Sequence, residues 1–507
     1  MRYFLCAVAL LATLGQAKPL FQITLDSAIA PKGGSGRLFI LMAKGIKHRE
    51  RITTSFTPGA TWFAAMEFEN IAPGQVIDFN PDLQSYPKPF SEAPAGEWEF
   101  MALLDPNHSF ASGGQDVGDL YSTVTGVVDW NPATAAPIAL LISKVTPPRP
   151  ASKEVDGVEL VEFTSPMLSA FWGRPIVMQA GIVLPPSYAK HKKTSYPVCY
   201  RVHGFGGSHR AAWAQGENIR KQIDDGKYLE MVHVFLNASF PTGHHVFADS
   251  VNNGPWGAAL TQEFIPFLEK KYRLVPNPGA RFLTGHSSGG WSTLWLQVAY
   301  PDFFGGTWPT APDPVDFHSF TGIDATPSSP QLAYQKLDGK PVWLVRQAGK
   351  DVGSMNDFVR QEEVAGPVGG QMASFDWVFS PKGPDGRPLK LFNRATGEQN
   401  PEVQQYWTRY DIRRVVEENW DRLGPKLRGK IRLVVGSADT FHLEEAAKLF
   451  CGFLKSKGRE DACEIVPDRD HSNLYQPYDT YKDGLAVRID QEMQQQYNRY
   501  LAKPKRR

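Results

Sequence analysis

The sequence predicts an α/β protein, a mainly parallel sheet covered by helices on both faces, preceded by an N-terminal antiparallel β-sandwich. Three observations carry this. From residue 158 onward, buried-type apolar runs at 197–203, 231–238, 281–284, 430–436 and 463–466 alternate with helical segments, and that repetition builds parallel sheets. Between residues 20 and 145, runs at 21–25, 37–42, 61–68, 96–104, 122–130 and 138–145 instead alternate apolar and polar residues between Gly, Pro and Asn, the pattern of a β-sandwich. The proline-rich stretch from Val145 to Ser152 divides the two patterns, because successive prolines favour an extended, stiff chain. The expected organisation is a signal peptide at 1–17, an accessory β-sandwich at 20–145, a linker at 146–157 and a catalytic domain at 158–503.

At the N-terminus, one arginine, an apolar run from Tyr3 to Leu14 and then Gly15-Gln16-Ala17 fit a secretory signal cleaved after Ala17, in a run too short to span a bilayer. The expected location is therefore secreted or periplasmic, with no stable membrane insertion. A net charge of +1 gives no electrostatic reason for a nucleic-acid partner. Cys199 lies in an apolar strand, whereas Cys451 and Cys463 flank a helix-to-strand connection; a disulfide between them and three free thiols are both open readings. The β-sandwich holds no cluster of catalytic residue types, so it either shapes the active-site entrance or is purely structural.

Along the catalytic domain, 158–163 and 176–184 read as a leading strand pair. The strand at 197–203 ends in His203-Gly204-Phe205-Gly206-Gly207-Ser208, where glycines let a backbone N–H, that of Phe205, approach a substrate carbonyl. Residues 235–257 contain His244 and His245, but adjacent side chains diverge and no third ligand follows at a suitable spacing, so neither a metal nor a cofactor is expected. Then Arg281-Phe282-Leu283-Thr284 runs into Gly285-His286-Ser287-Ser288-Gly289-Gly290-Trp291, a strand, a G-x-S-x-G turn and a helix. Such a turn lifts a serine hydroxyl out of the chain and aims the next N–H, that of Ser288, at a developing oxyanion. Among 45 glycines the motif alone decides nothing; its surroundings do. After a strand at 306–311, residues 313–428 form a cap-like insertion with helical pieces at 355–363 and 401–420. The strand at 430–436 then delivers Asp439, and of the two later histidines, His442 lies too near the acid and opens a helix, which leaves His471 on the loop after the last strand. Asp468 and Asp470 are rival acids, read as loop-stabilising groups.

Taken together, His203 to Gly207, Gly285 to Gly290, the strand end at Gly436 to Asp439 and Asp470-His471-Ser472 resemble the putative esterase family of α/β-hydrolases, which includes esterase D, feruloyl esterases and enterochelin esterases. The resemblance runs from about Val158 to the C-terminus and implies an α/β-hydrolase fold. A β-domain ahead of the hydrolase looks like the arrangement in enterochelin esterases, while the long segment between Ala311 and Lys430 departs from the pattern.

The expected function is a secreted serine esterase acting on a small-molecule or carbohydrate-linked ester, with Ser287 as nucleophile, His471 as base, Asp439 orienting it, and the N–H groups of Phe205 and Ser288 as oxyanion hole. His203, Trp256, His286 and Trp308 are candidate substrate contacts; with 13 tryptophans present, residues such as Trp213, Trp256, Trp291 and Trp308 are each more often core than ligand contact. An acyltransferase on the same triad and a noncatalytic carbohydrate-binding protein on a hydrolase frame are the rival readings. A peptidase of the propeller type is disfavoured, because the N-terminal segment is too short for seven blades of about 40 residues.

Overall fold

The computed structural model describes residues 20–46, 49–54, 58–148, 153–327, 329–478 and 481–502. The expected signal peptide at 1–17 lies outside them, as do 149–152 of the expected linker. Two compact units divide between Pro147 and Pro148, except that Pro58 and 108–116 belong with the second unit, which strand spacing did not reveal.

In the first unit nine strands are joined in one hydrogen-bonded sheet, in the order Val76–Phe79, Phe21–Leu25, Ile138–Val145, Leu120–Ser122, Gly96–Asp105, Gly34–Ala43, Thr61–Ile71 and Ser85–Tyr86, with Val128–Trp130 beside Gly96–Asp105. The strands therefore do not separate into two hydrogen-bonded sheets. Phe21, Phe100 and Trp130 meet at its core in tilted and edge-to-face contacts.

The second unit is an α/β fold on an eight-stranded sheet. We number its strands β1 (Val158–Thr164), β2 (Val177–Val183), β3 (Val198–Val202), β4 (Val232–Leu236), β5 (Arg281–His286), β6 (Gly306–Thr310), β7 (Leu433–Gly436) and β8 (Cys463–Val466). They lie in the order β1-β2-β4-β3-β5-β6-β7-β8, with β2 antiparallel to both neighbours and every pair from β4 to β8 parallel. A parallel sheet with both faces covered needs strands that are apolar on both sides, and β4 and β6 are buried at every position. The order places β3 and β5 side by side at the centre, so the glycine loop after β3 and the turn after β5 emerge together at the carboxyl edge, where such sheets bind ligands.

Among its described residues the segment 313–428 holds a hairpin, Trp343–Gln347 with Lys350–Ser354, and five α-helices, including Met355–Ala365 and Gln371–Phe379. Phe317, Phe320, Phe379 and Trp407 pack edge-on within it, and their cluster is continuous with the side chains under β5 to β7. Cys451 and Cys463 form a disulfide tying helix Leu443–Ser456 to β8, and Cys199 is a buried free thiol on β3.

Candidate active site

The turn after β5 is built by steric exclusion. A Cβ on Gly285 would lie 2.3 Å from the Gly289 carbonyl oxygen, and one on Gly289 would lie 2.0 Å from that of Val202. Only glycine permits this approach of helix Ser288–Ala299 to the sheet. Ser287 sits between at φ 60°, ψ −127°, a conformation costing an L-residue about 1 to 3 kcal/mol. Three backbone bonds hold it: its N–H donates to Thr310 O at 3.0 Å, and its carbonyl accepts from Trp291 and Asp313 at 3.1 and 3.2 Å.

The loop after β3 closes against this turn, so that a Cβ on Gly204 would be 3.2 Å from Ser287 Cβ. His203 holds the loop open. Its Nδ1–H donates to Gly204 O at 2.7 Å while Nε2 accepts from Ala238 N–H at 2.9 Å, and burial pulls its pKa down to about 4, so the ring is neutral. The N–H groups of Phe205 and Ser288 have no intramolecular acceptor among the described residues. Both residues adjoin Ser287, Phe205 as a wall of the same cavity and Ser288 as the first residue of the helix.

Acid and base come together because β7 ends against the loop after β8. Ala438 N–H donates to Arg469 O at 3.0 Å, and a Cβ on Gly436 would lie 2.1 Å from that same oxygen. Asp439, fully buried, accepts Phe441 N–H on Oδ1 at 2.9 Å and His471 Nδ1–H on Oδ2 at 2.8 Å. With Nδ1 so held, the other nitrogen of His471 is the one free for chemistry. Asp470 is used up in its own turn, accepting from Ser472 and Asn473 N–H at 2.8 Å each, and His442 pairs with Asp351 at 3.0 Å.

Ser287, His471, Phe205 and His286 line one cavity of about 270 Å³. Its remaining wall is largely apolar: Phe441 and Leu443, with Leu344, Phe358, Met372 and Phe375 from the insertion. The His286 ring lies 4.3 Å from that of His471 and its pKa is lowered to about 4, first by burial and then by the His471 charge.

The sequence reading missed Asp313. It is 2% exposed, accepts the Ser288 hydroxyl at 2.5 Å, and is the acceptor facing Ser287 Oγ at 3.5 Å; in this resting geometry Ser287 makes no hydrogen bond to His471. Burial pushes its pKa up to about 6. The signal was available, since Asp313 follows β6 as Asp439 follows β7, an acid just past a strand end.

Two expected substrate contacts are corrected. Trp256 is buried away from the cavity, stacked on His245 with centroids 3.7 Å apart, because both rings belong to the apolar layer behind the sheet. Trp308, inside β6, packs on Phe282 and donates to Glu492 at 2.7 Å. Trp291 is likewise core, stacked on Trp295 at 5.4 Å, and Trp213 lines a separate surface cleft. His203 stabilises the loop and lines the neighbouring cavity rather than the one around Ser287. His244 donates from Nε2 to His203 O at 2.9 Å and accepts Val246 N–H on Nδ1, which leaves it no free nitrogen for a ligand. The one His/Asp group among the described residues able to gather around a cation, Asp316, His318 and Asp411, lies in the insertion, with Asp316 and Asp411 bonded to His318, Phe317 N–H and Arg414 N–H.

A family model described as "Esterase: Putative esterase" matches residues 175–473, more than half of the chain. The chain belongs to the putative esterase family. It is by that membership a carboxylic ester hydrolase, and the matched span contains β2 to β8 with Phe205, Ser287, Ser288, Asp313, Asp439 and His471. Among solved structures, this esterase is similar to a ferulic acid esterase, at 16% identity over 66% of this chain and 98% of the other, with a TM-score of 0.40. It is also similar to an S-formylglutathione hydrolase from Agrobacterium tumefaciens, at 14% identity over 69% and 98%, TM-score 0.40. A ferulic acid esterase from Anaeromyces mucronatus matches at 13% over 68% and 94%, TM-score 0.34.

Proposed function

We propose that this esterase works through Ser287, His471 and Asp439 by way of an acyl-enzyme. The observation that carries the reading is the 2.8 Å bond from His471 to Asp439 beside a serine raised on a strained turn, with serine and histidine opening into one cavity. A small side-chain rotation takes the Ser287 hydroxyl from Asp313 to His471, which removes its proton as Oγ attacks the ester carbonyl. The carbonyl oxygen, now negative, receives the N–H groups of Phe205 and Ser288, each worth about 3 to 4 kcal/mol in such sites. Asp439 holds the imidazolium that forms, and the imidazolium returns the proton to the leaving alcohol. Water repeats the sequence on the acyl-enzyme, releasing the acid and restoring Ser287.

Asp313 faces the same serine, so when ionised it adds a second negative charge to balance the imidazolium, at the cost of opposing the oxyanion. The apolar wall favours an uncharged acyl group. Export is supported by the apolar segment before Ala17 and by the disulfide, which forms and persists in oxidising compartments. The first unit is read as an accessory β-domain and 313–428 as a cap over the site.

Ser287→Ala is expected to lower kcat on p-nitrophenyl butyrate by at least about 10⁴-fold and to abolish labelling by a fluorophosphonate. Near-native turnover in that variant would remove the serine from the mechanism.

A further inference from the structure

A second cavity of the catalytic unit, about 520 Å³, adjoins the catalytic one, sharing Gly204 and His286 with it. It reaches solvent past Gln215 and Asn218, exposed on helix Ala211–Asp224. Its floor is a row of side chains on one face of the sheet, Arg201, Phe235 and Thr284, which are register partners on β3, β4 and β5.

Arg201 is the one formally charged residue in that lining, and it is in an unusual place, inside a central strand of a parallel sheet. A guanidinium there is costly unless something balances it. Several arginines of this unit have carboxylate partners, Arg281 with Glu269, Arg346 with Glu444, Arg394 with Asp376 and Arg488 with Glu464, while Arg273 and Arg469 donate to backbone carbonyls instead. Arg201 has none within ion-pair distance among the described residues. Its Nε donates to His233 Nδ1 at 3.1 Å, and the group lies 5.5 Å from the Phe235 ring. His233 is kept neutral by burial and by the guanidinium itself, so it orients the group without cancelling the charge. The acid that Arg201 does feel, Asp490, is buried, with its pKa raised to about 7 by that burial. Beyond His233 the group also meets the neutral Cys199 thiol, which cancels none of its charge, so a carboxylate entering the cleft finds an unbalanced guanidinium.

We propose that this cleft is the leaving-group subsite and that Arg201 binds a carboxylate carried on the alcohol portion of the ester. The inference rests on the serine-esterase reading. A guanidinium matches a carboxylate with two parallel hydrogen bonds, and the polar groups of Tyr228, Asn218 and Gln215 suit an anion better than an apolar chain. Thr284, level with Arg201, is three residues before Ser287, so the two ends of the substrate would be roughly 10 Å apart at about 3.3 Å per strand residue. The assignment of sides follows from the order of events. The alcohol departs first and needs an open path, while the acyl group stays on the serine and fits the apolar chamber.

The test uses 3-(4-butyryloxyphenyl)propanoate and its neutral analogue 3-(4-butyryloxyphenyl)propanamide as substrates of the full chain. Wild type is expected to favour the carboxylate at least about tenfold in kcat/KM, and Arg201→Gln to bring that ratio to about one through KM. Gln215→Glu, at an exposed position, sets a like charge at the mouth and is expected to cut the ratio severalfold even if Arg201→Gln folds poorly. A wild-type ratio near one, or a ratio unmoved in both variants, overturns the proposal. Calorimetric binding of 3-(4-hydroxyphenyl)propanoate to Ser287→Ala addresses the cleft without turnover: loss of binding on adding Arg201→Gln supports it, and unchanged binding overturns it. Undiminished hydrolysis of both esters by Ser287→Ala would instead remove the serine-esterase reading, while the calorimetry still judges the anion site.

Discussion

The turn that carries Ser287 and the insertion that walls its cavity solve the same problem, holding side chains at fixed positions, in opposite ways. The turn does it with backbone alone: two glycines, two carbonyl oxygens and a helix start, all within a few residues of each other and of β3. The wall does it with side chains drawn from residue 321 to residue 375, each placed by packing on a cluster shared with the sheet. Backbone close approach tolerates no substitution, whereas a packed wall can be recut at a finite cost. On the proposed mechanism, chemistry is fixed at the first and substrate choice is adjustable at the second.

The comparison breaks most severely at Gly289. Gly289→Ala places a methyl 2.0 Å from Val202 O, and loss of more than about 4 kcal/mol is expected in chemical denaturation, with activity lost as well. Phe375→Ala tests the wall: about 3 kcal/mol of stability, since Phe375 is 5% exposed, together with a shift of acyl preference toward longer chains in a p-nitrophenyl ester series. If the chain-length optimum stays put, the insertion does not set substrate size.

Asp313→Asn sharpens the comparison on the boundary between the two regions. A lowering of kcat by about tenfold, with KM little changed, is expected from loss of charge beside the imidazolium. The folded carboxyl, raised from 3.8 to about 6, keeps its proton to higher pH than the unfolded chain does. Wild-type stability therefore declines as pH rises through that window, and the asparagine variant does not share that decline. Melting temperatures at pH 4.5 and 7.5 should show the variant gaining on wild type at the higher pH. The smallest effect is expected at Gly452, an exposed helix position where a Cβ meets nothing within 4 Å. Gly452→Ala should stabilise by about 0.5 to 1 kcal/mol, a gain that marks by contrast how much of the Gly289 cost is steric.

Asp439 and His471 could be picked out in sequence because chain order and strand ends limit the choices, and the structure joins them at 2.8 Å. Asp313 obeys the same strand-end rule, yet no motif distinguishes it from other acids until β6 is seen next to β5. The tryptophans misled for a related reason. Trp256 and Trp308 flank the motifs in sequence, but side chains alternate across a strand and diverge around a helix, so nearness along the chain does not say which cavity a ring faces. The nine-stranded first unit shows the limit for sheets, where strand existence was readable but the pairing that joins them all was not.

By itself the sequence determined the alternation of strands and helices, the turn at Ser287 and the order along the chain of Ser287, Asp439 and His471, because these depend on periodicity and on glycine at particular steps. Only the tertiary structure decided which walls enclose the serine, that a buried acid stands 3.5 Å from its hydroxyl, and that Arg201 opens into a cleft without a carboxylate partner. Those features come from contacts between residues far apart in the chain, and such contacts are selected by the packing of whole layers, which no short stretch of residues encodes.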